Sequence, residues 1–130
     1  MPPIEHTTFD FPLAAANFQK RIADRKARRL TLYNQARQDC RQIVDLIVAH
    51  YAPRRIYQWG SLLHPDQFDE NSDIDLAVEG LASTEDFFRL FGEAMRMTDF
   101  TLDLLEYDKL TPMDRQTITS KGIILYERHE

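Results

Sequence analysis

From Leu13 to Tyr51 the chain has neither proline nor glycine, and Leu30, Tyr33, Ala36, Cys40, Ile43, Val44, Ile47, Val48 and Tyr51 recur at three- and four-residue steps. That spacing predicts an amphipathic helix, or two nearly continuous ones, with the denser apolar stripe in the second half. Phe18 and Ile22 extend the stripe weakly upstream among Lys20, Arg21, Arg25, Lys26, Arg28 and Arg29. The first half therefore reads as an arm reaching past the core as readily as a core helix. Pro53 stops the pattern, and the period then shortens. Arg55 to Trp59, Ile74 to Val78, the run around Leu102 to Leu105, and Ile123 to Tyr126 are short, β-prone and bounded by turn residues.

Helices fill the intervals. Ser83 is an N-cap followed by Glu85 and Asp86 in the first turn, opening a helix to about Met97 whose buried side is expected from Phe87, Phe88, Phe91, Ala94 and Met95. Thr111 and Pro112 have the chemistry of N-cap and N1 for a further helix, which Gly122 ends. The order helix, strand, strand, helix, strand, helix, strand predicts a single α/β (α+β) domain with one small mixed sheet flanked by helices. Three segments are expected: an extended or disordered stretch at 1–12, a helical segment at 13–52, and the domain proper at 53–130.

Composition fits this picture. At 130 residues, 43% hydrophobic and 28% charged, the chain suits one domain with a modest core. Its one cysteine, Cys40, excludes an intramolecular disulfide and falls where the helix needs a small hydrophobe. No apolar run approaches the roughly 20 residues of a membrane span, and the start M-P-P-I-E-H-T-T lacks the basic and apolar regions of an export signal. A soluble cytoplasmic protein without membrane contacts is expected. The formal charge of -5 speaks against general affinity for nucleic acid, but it hides an asymmetry. Residues 13–55 carry ten Lys or Arg against three Asp, and residues 60–130 carry six against sixteen Asp or Glu. A basic helix thus joins an acidic domain, which suits an acidic partner, a nucleic acid or a plain solvated face.

The chemistry concentrates between Trp59 and Val78. Gly60-Ser61 follows a β-prone run, where glycine admits close approach of backbone to a ligand and serine offers a hydroxyl and an N–H, a combination suited to phosphate. Asp73 and Asp75 flank Ile74 at the start of a strand, and period-two alternation puts both carboxylates on one face. Two such acids repel each other unless a cation lies between them, and oxygen donors of this kind suit Mg²⁺. Asp103, between Leu102 and Leu104, is a third acid in a segment that would form a strand without it. Asp99 and Asp108 are alternatives to it, and a turn cap or surface acid is the plain reading of each aspartate taken alone. Asp69, Asn71 and Asp73 imitate the start of a calcium loop, but Ile74 stands where its glycine is needed and Gly80 where its glutamate is needed.

Together Gly60-Ser61, Asp73-Ile74-Asp75 and Asp103 resemble the signature of the nucleotidyltransferase superfamily that includes DNA polymerase beta, over roughly Arg55 to Tyr126. The small size is similar to its minimal nucleotidyltransferase branch, although Leu63-His64-Pro65 stands where many members have Ala-Arg-Gly. The resemblance implies catalysis at Asp73, Asp75 and Asp103, the same three acids holding two Mg²⁺ ions, and Gly60 and Ser61 on the phosphates of ATP. It further implies a cognate HEPN-domain toxin as partner, neutralised by transfer of AMP to a tyrosine hydroxyl. Two alternatives remain open: an antitoxin that acts by binding only, and a nucleotidyltransferase with a small-molecule acceptor. Self-association through the N-terminal helix competes with partner binding there.

Overall fold

The structure, a computed structural model, describes residues 9–129; residues 1–8 of the expected extended start lie outside the described residues. Helix α1 runs unbroken over Phe11–Tyr51, 41 residues. The Asp10 carboxylate accepts from the Leu13 N–H as its N-cap, and Pro12 is tolerated because the first turn needs no donor there. Ala52 leaves the helix in the left-handed region, with a φ of 44°, and Pro53 is buried beneath it. No helix among the described residues is long and apolar enough to cross a membrane.

Four strands follow: β1 (Arg55–Trp59), β2 (Ile74–Glu79), β3 (Leu102–Glu106) and β4 (Ile123–Glu127). Helix α2 (Thr84–Met95) crosses between β2 and β3, and α3 (Pro112–Lys121) lies between β3 and β4. The sheet order is β3-β2-β1-β4. Strand β1 pairs antiparallel with β2 and β4, while β2 and β3 are parallel, as a helical crossover requires. The fold is the mixed sheet with flanking helices that the periodicity predicts.

Alternation along the strands separates two faces. Ile56, Ile74, Leu76, Val78, Leu102 and Leu104 pack against Ala36, Cys40, Ile43 and Ile47 of α1 and Leu90 and Ala94 of α2. On the opposite face Tyr57 and Ala77 meet Ile118 of α3. Tyr51 donates to Glu93, and Asp39 accepts from Gln35 and Thr98, so α1 is tied to the last turn of α2 and to the chain that leaves it. Upstream of Leu32 the helix stands clear of the sheet, with Phe11, Phe18, Ile22 and Leu30 exposed.

One expectation is corrected. Leu90 and Ala94 are the fully buried residues of α2, whereas Phe88 and Met95 are 67% and 52% exposed. A helix packs one stripe, and Phe87, Leu90, Phe91 and Ala94 already fill it at the 3,4 spacing. Phe88 and Met95, seven residues apart, sit on its shoulder.

Candidate active site

The end of the sheet where β1 finishes and β2 and β3 begin brings the predicted residues together. Asp73 immediately precedes β2, and Ile74 is fully buried while Asp75 faces the α3 side. Parallel pairing sets Asp75 directly beside Asp103, and antiparallel pairing sets it across from Trp59, the residue before the Gly-Ser turn. Leu102 and Leu104 are buried on either side of an exposed Asp103, so β3 forms on its leucines and leaves the acid at the site. Asp99 and Asp108 lie elsewhere. Asp108 accepts from the Gly80 N–H at the far end of β2, and Asp99 lines a groove with Asp39 and Thr98.

Gly60 has a φ of +82°, a conformation that suits glycine, and a side-chain carbon there would run into Asp75 Oδ2. The turn therefore lies against the carboxylate. A single helical turn, Ser61–Leu63, starts from it, leaving Ser61 partly open and His64 exposed with its N–H donated to the Ser61 carbonyl.

The electrostatics of this end are one-sided. Burial, then the charges of Asp103 and Asp73, then a hydrogen bond with Asp103, push the Asp75 carboxyl up to about 6. Among the described residues no basic side chain offsets them. As the side chains stand, no three acids, histidines or cysteines among the described residues converge on one ion position. The fit to a hard cation is one of chemistry: oxygen donors on adjacent strands, mutually repelling and not neutralised by Lys or Arg.

Two groups of residues that hold the site in place carry no motif. Phe68, fully buried, plugs the polar loop before Asp73 between Tyr33 and Phe100 at centroid distances of 6.1 and 5.6 Å. Beside it the Asp69 carboxylate accepts from the Asn71 N–H at 2.8 Å, and the Ser72 hydroxyl accepts from the Asp69 N–H at 3.0 Å, fixing the chain as it enters β2. The lone aromatic in an acidic loop is the only signal the sequence offers.

At the other end of the same face Tyr57 donates to Glu79 at 2.8 Å, and Arg55 donates to Glu79 at 3.1 Å and pairs with Glu127 at 3.3 Å. Tyr57 stacks on Tyr107 with centroids 4.6 Å apart, and Arg115 lies over Tyr107 while donating to its carbonyl. This lattice links β1, β2, β4 and the residue after β3, and so fixes the strand spacing that sets Asp75 beside Asp103. Burial first, then the Glu79 hydrogen bond, push the Tyr57 hydroxyl well above its ordinary value, so it remains a donor.

The same arrangement of elements occurs in solved structures. One is the crystal structure of the toxin-antitoxin MntA-HepT, 20% identical, with a TM-score of 0.54 over 71% of this chain and 73% of that one. Another is the crystal structure of a toxin-antitoxin with AMP-PNP, 23% identical, with a TM-score of 0.57 over 68% of this chain and 73% of that one. No curated protein sequence matches the chain. The description "Polymerase beta, Nucleotidyltransferase" fits residues 41–130, a span that takes in the last turns of α1, the whole sheet, Gly60-Ser61 and the acids Asp73, Asp75 and Asp103. A match over more than half of its length means that this chain belongs to the polymerase beta nucleotidyltransferase family.

Proposed function

We propose that this nucleotidyltransferase moves AMP from ATP to a tyrosine hydroxyl of a cognate HEPN-type toxin, and so acts as an antitoxin. The observation that carries the reading is Asp75, held between the Asp103 and Asp73 carboxylates and pressed against Gly60, where no side chain fits. Such a cluster is costly to a fold and has value only at a site that neutralises it. The family assignment supplies the reaction class. Similarity to structures named as toxin-antitoxin assemblies, one of them with AMP-PNP, supports the partner and the nucleotide.

In this reading Asp73, Asp75 and Asp103 hold magnesium, which when bound neutralises triphosphate charge and makes the acceptor hydroxyl more acidic. Gly60 and Ser61 receive the phosphates of the leaving pyrophosphate through backbone and hydroxyl. Asp103, the most open of the three, takes the acceptor proton as the hydroxyl oxygen bonds to the α-phosphorus and the bond to pyrophosphate breaks. Asp75, deeper and half-buried, keeps the acceptor side and the phosphate side in register.

One observation favours a second reading, an antitoxin that only binds. Leu63-His64-Pro65 leaves the turn after Ser61 without an arginine or lysine for the triphosphate, and the three acids do not converge as they stand. Mass spectrometry of the HEPN-type protein after incubation with ATP, Mg²⁺ and this chain separates the two. A gain of AMP that Asp75→Asn abolishes supports transfer. Inhibition of the toxin with no gain in mass moves the conclusion to binding, and a toxin neither bound nor modified points to a small-molecule acceptor.

A further inference from the structure

The face of the sheet that carries α1 has a second concave feature, outside the transfer site. A groove of about 720 Å³ runs between α1 and β4 past the helical turn that follows Gly60, and its walls include Tyr33, Arg37, Arg41, Gln58, Leu62 and Leu125. Gln58 is its anomaly. Only 7% exposed, it occupies the same face of β1 as the fully buried Ile56, yet among the described residues no group hydrogen-bonds its side-chain amide. The amide is not sealed off either, so it opens into the groove that it lines. The amide is thus free to pair with a polar group of an occupant of the groove.

Two further observations describe that occupant. Arg37 and Arg41 stand one helical turn apart on the wall and outweigh Asp45, the acid that also lines it, and Arg41 has no ion pair among the described residues. Strand β4 is the edge of the sheet, so its outer N–H and C=O groups have no strand beside them. Although bulged opposite Ile56 and Tyr57, it has neither charge nor proline over Ile123 to Tyr126, and Ile123 and Ile124 are about half exposed. Edges are ordinarily blunted by such residues.

We propose that the groove and the β4 edge together receive an extended acidic segment of a partner protein, added to the sheet as a fifth strand. Its main chain would satisfy the outer row of β4. Every second side chain would then point toward α1, where the Gln58 amide and the Arg37 and Arg41 guanidinium groups bind carboxylates. The opposite charge of the basic helix selects an acidic segment, and the apolar edge selects one whose other residues are β-branched.

A labelled peptide of about ten residues alternating Glu and Val, compared with one alternating Lys and Val, tests this by fluorescence anisotropy together with amide exchange of β4. The Glu peptide should bind and slow exchange over residues 123–127, and the Lys peptide should do neither. The double variant Arg37→Glu, Arg41→Glu, changed only at exposed positions, should weaken binding about tenfold or more, and Gln58→Leu should weaken it less. Equal binding of the two peptides, or binding that leaves β4 exchange unchanged, overturns the proposal. So does slow β4 exchange in the protein alone with a dimer by light scattering, because a second copy would then occupy the edge. The readouts need no nucleotide, so the transfer reaction stands or falls separately.

Discussion

Gly60 and Asp75 exclude each other's growth: the space a side chain would take on Gly60 is already filled by the Asp75 carboxylate. Gly60→Ala should therefore act on activity and stability together. Strain at a φ of +82° and the displaced carboxylate should cost about 1–3 kcal/mol, and nucleotidyl transfer should fall about a hundredfold or more. Adding Asp75→Ala should recover part of the melting temperature, since the remaining contact is an ordinary one at 3.5 Å, but none of the activity.

The Asp75 carboxyl titrates near 6, above the ordinary value of 3.8, so the folded state disfavours its charge. The stability linked to its proton is fully present below about pH 4 and is lost as pH rises through 6. Asp75→Asn should thus stabilise the protein at pH 8 by about 1 kcal/mol, a figure already reduced because the group is half open to solvent, and should have no effect near pH 4. Denaturant melts at the two pH values check it. Mg²⁺ should raise the wild-type midpoint at pH 8, EDTA should reverse the gain, and the variant should show neither effect.

Phe68 is the test of whether the acidic loop is held by packing. Phe68→Ala should cost about 3–5 kcal/mol in urea unfolding, a core-sized loss from a residue outside every helix and strand. Phe68→Leu should recover most of it.

Removing residues 1–28 should leave circular dichroism of the remainder and its melting temperature nearly unchanged, because the packed positions of α1 begin at Leu32. If the shortened chain unfolds, the arm belongs to the core. Light scattering of the two forms will show whether the arm's exposed Phe11, Phe18 and Ile22 serve self-association.

Local chemistry made most elements legible before any coordinates. Ser83 and Thr111 with Pro112 start helices by capping and Gly80 ends β2 at a positive φ, whereas Gly122 ends α3 in extended backbone where a side chain would meet the Gln58 and Ile118 carbonyls. Alternation about Ile74 and about Leu102 and Leu104 placed each acid on a face. What alternation could not supply is register, because the pairing of Asp75 with Asp103 depends on a parallel crossover. The lattice of Tyr57, Glu79, Arg55 and Tyr107 was hidden for the same reason: its members meet only across strands. On α2 the error was one of bulk over phase. Phe88 and Met95 look like core by hydrophobicity, and the angular position of Leu90 decides otherwise.

The crossover between β2 and β3 also bears on how the acidic end is assembled as the chain folds. Asp75 and Asp103 are separated by α2, so they meet only when β3 docks in parallel beside β2. Their repulsion opposes this docking, whereas the antiparallel pairing of β1 with β2 brings no such charges together. Cations that screen the pair should favour the docking of β3, so the ionic milieu in which the protein is made bears on how readily its acidic end is completed.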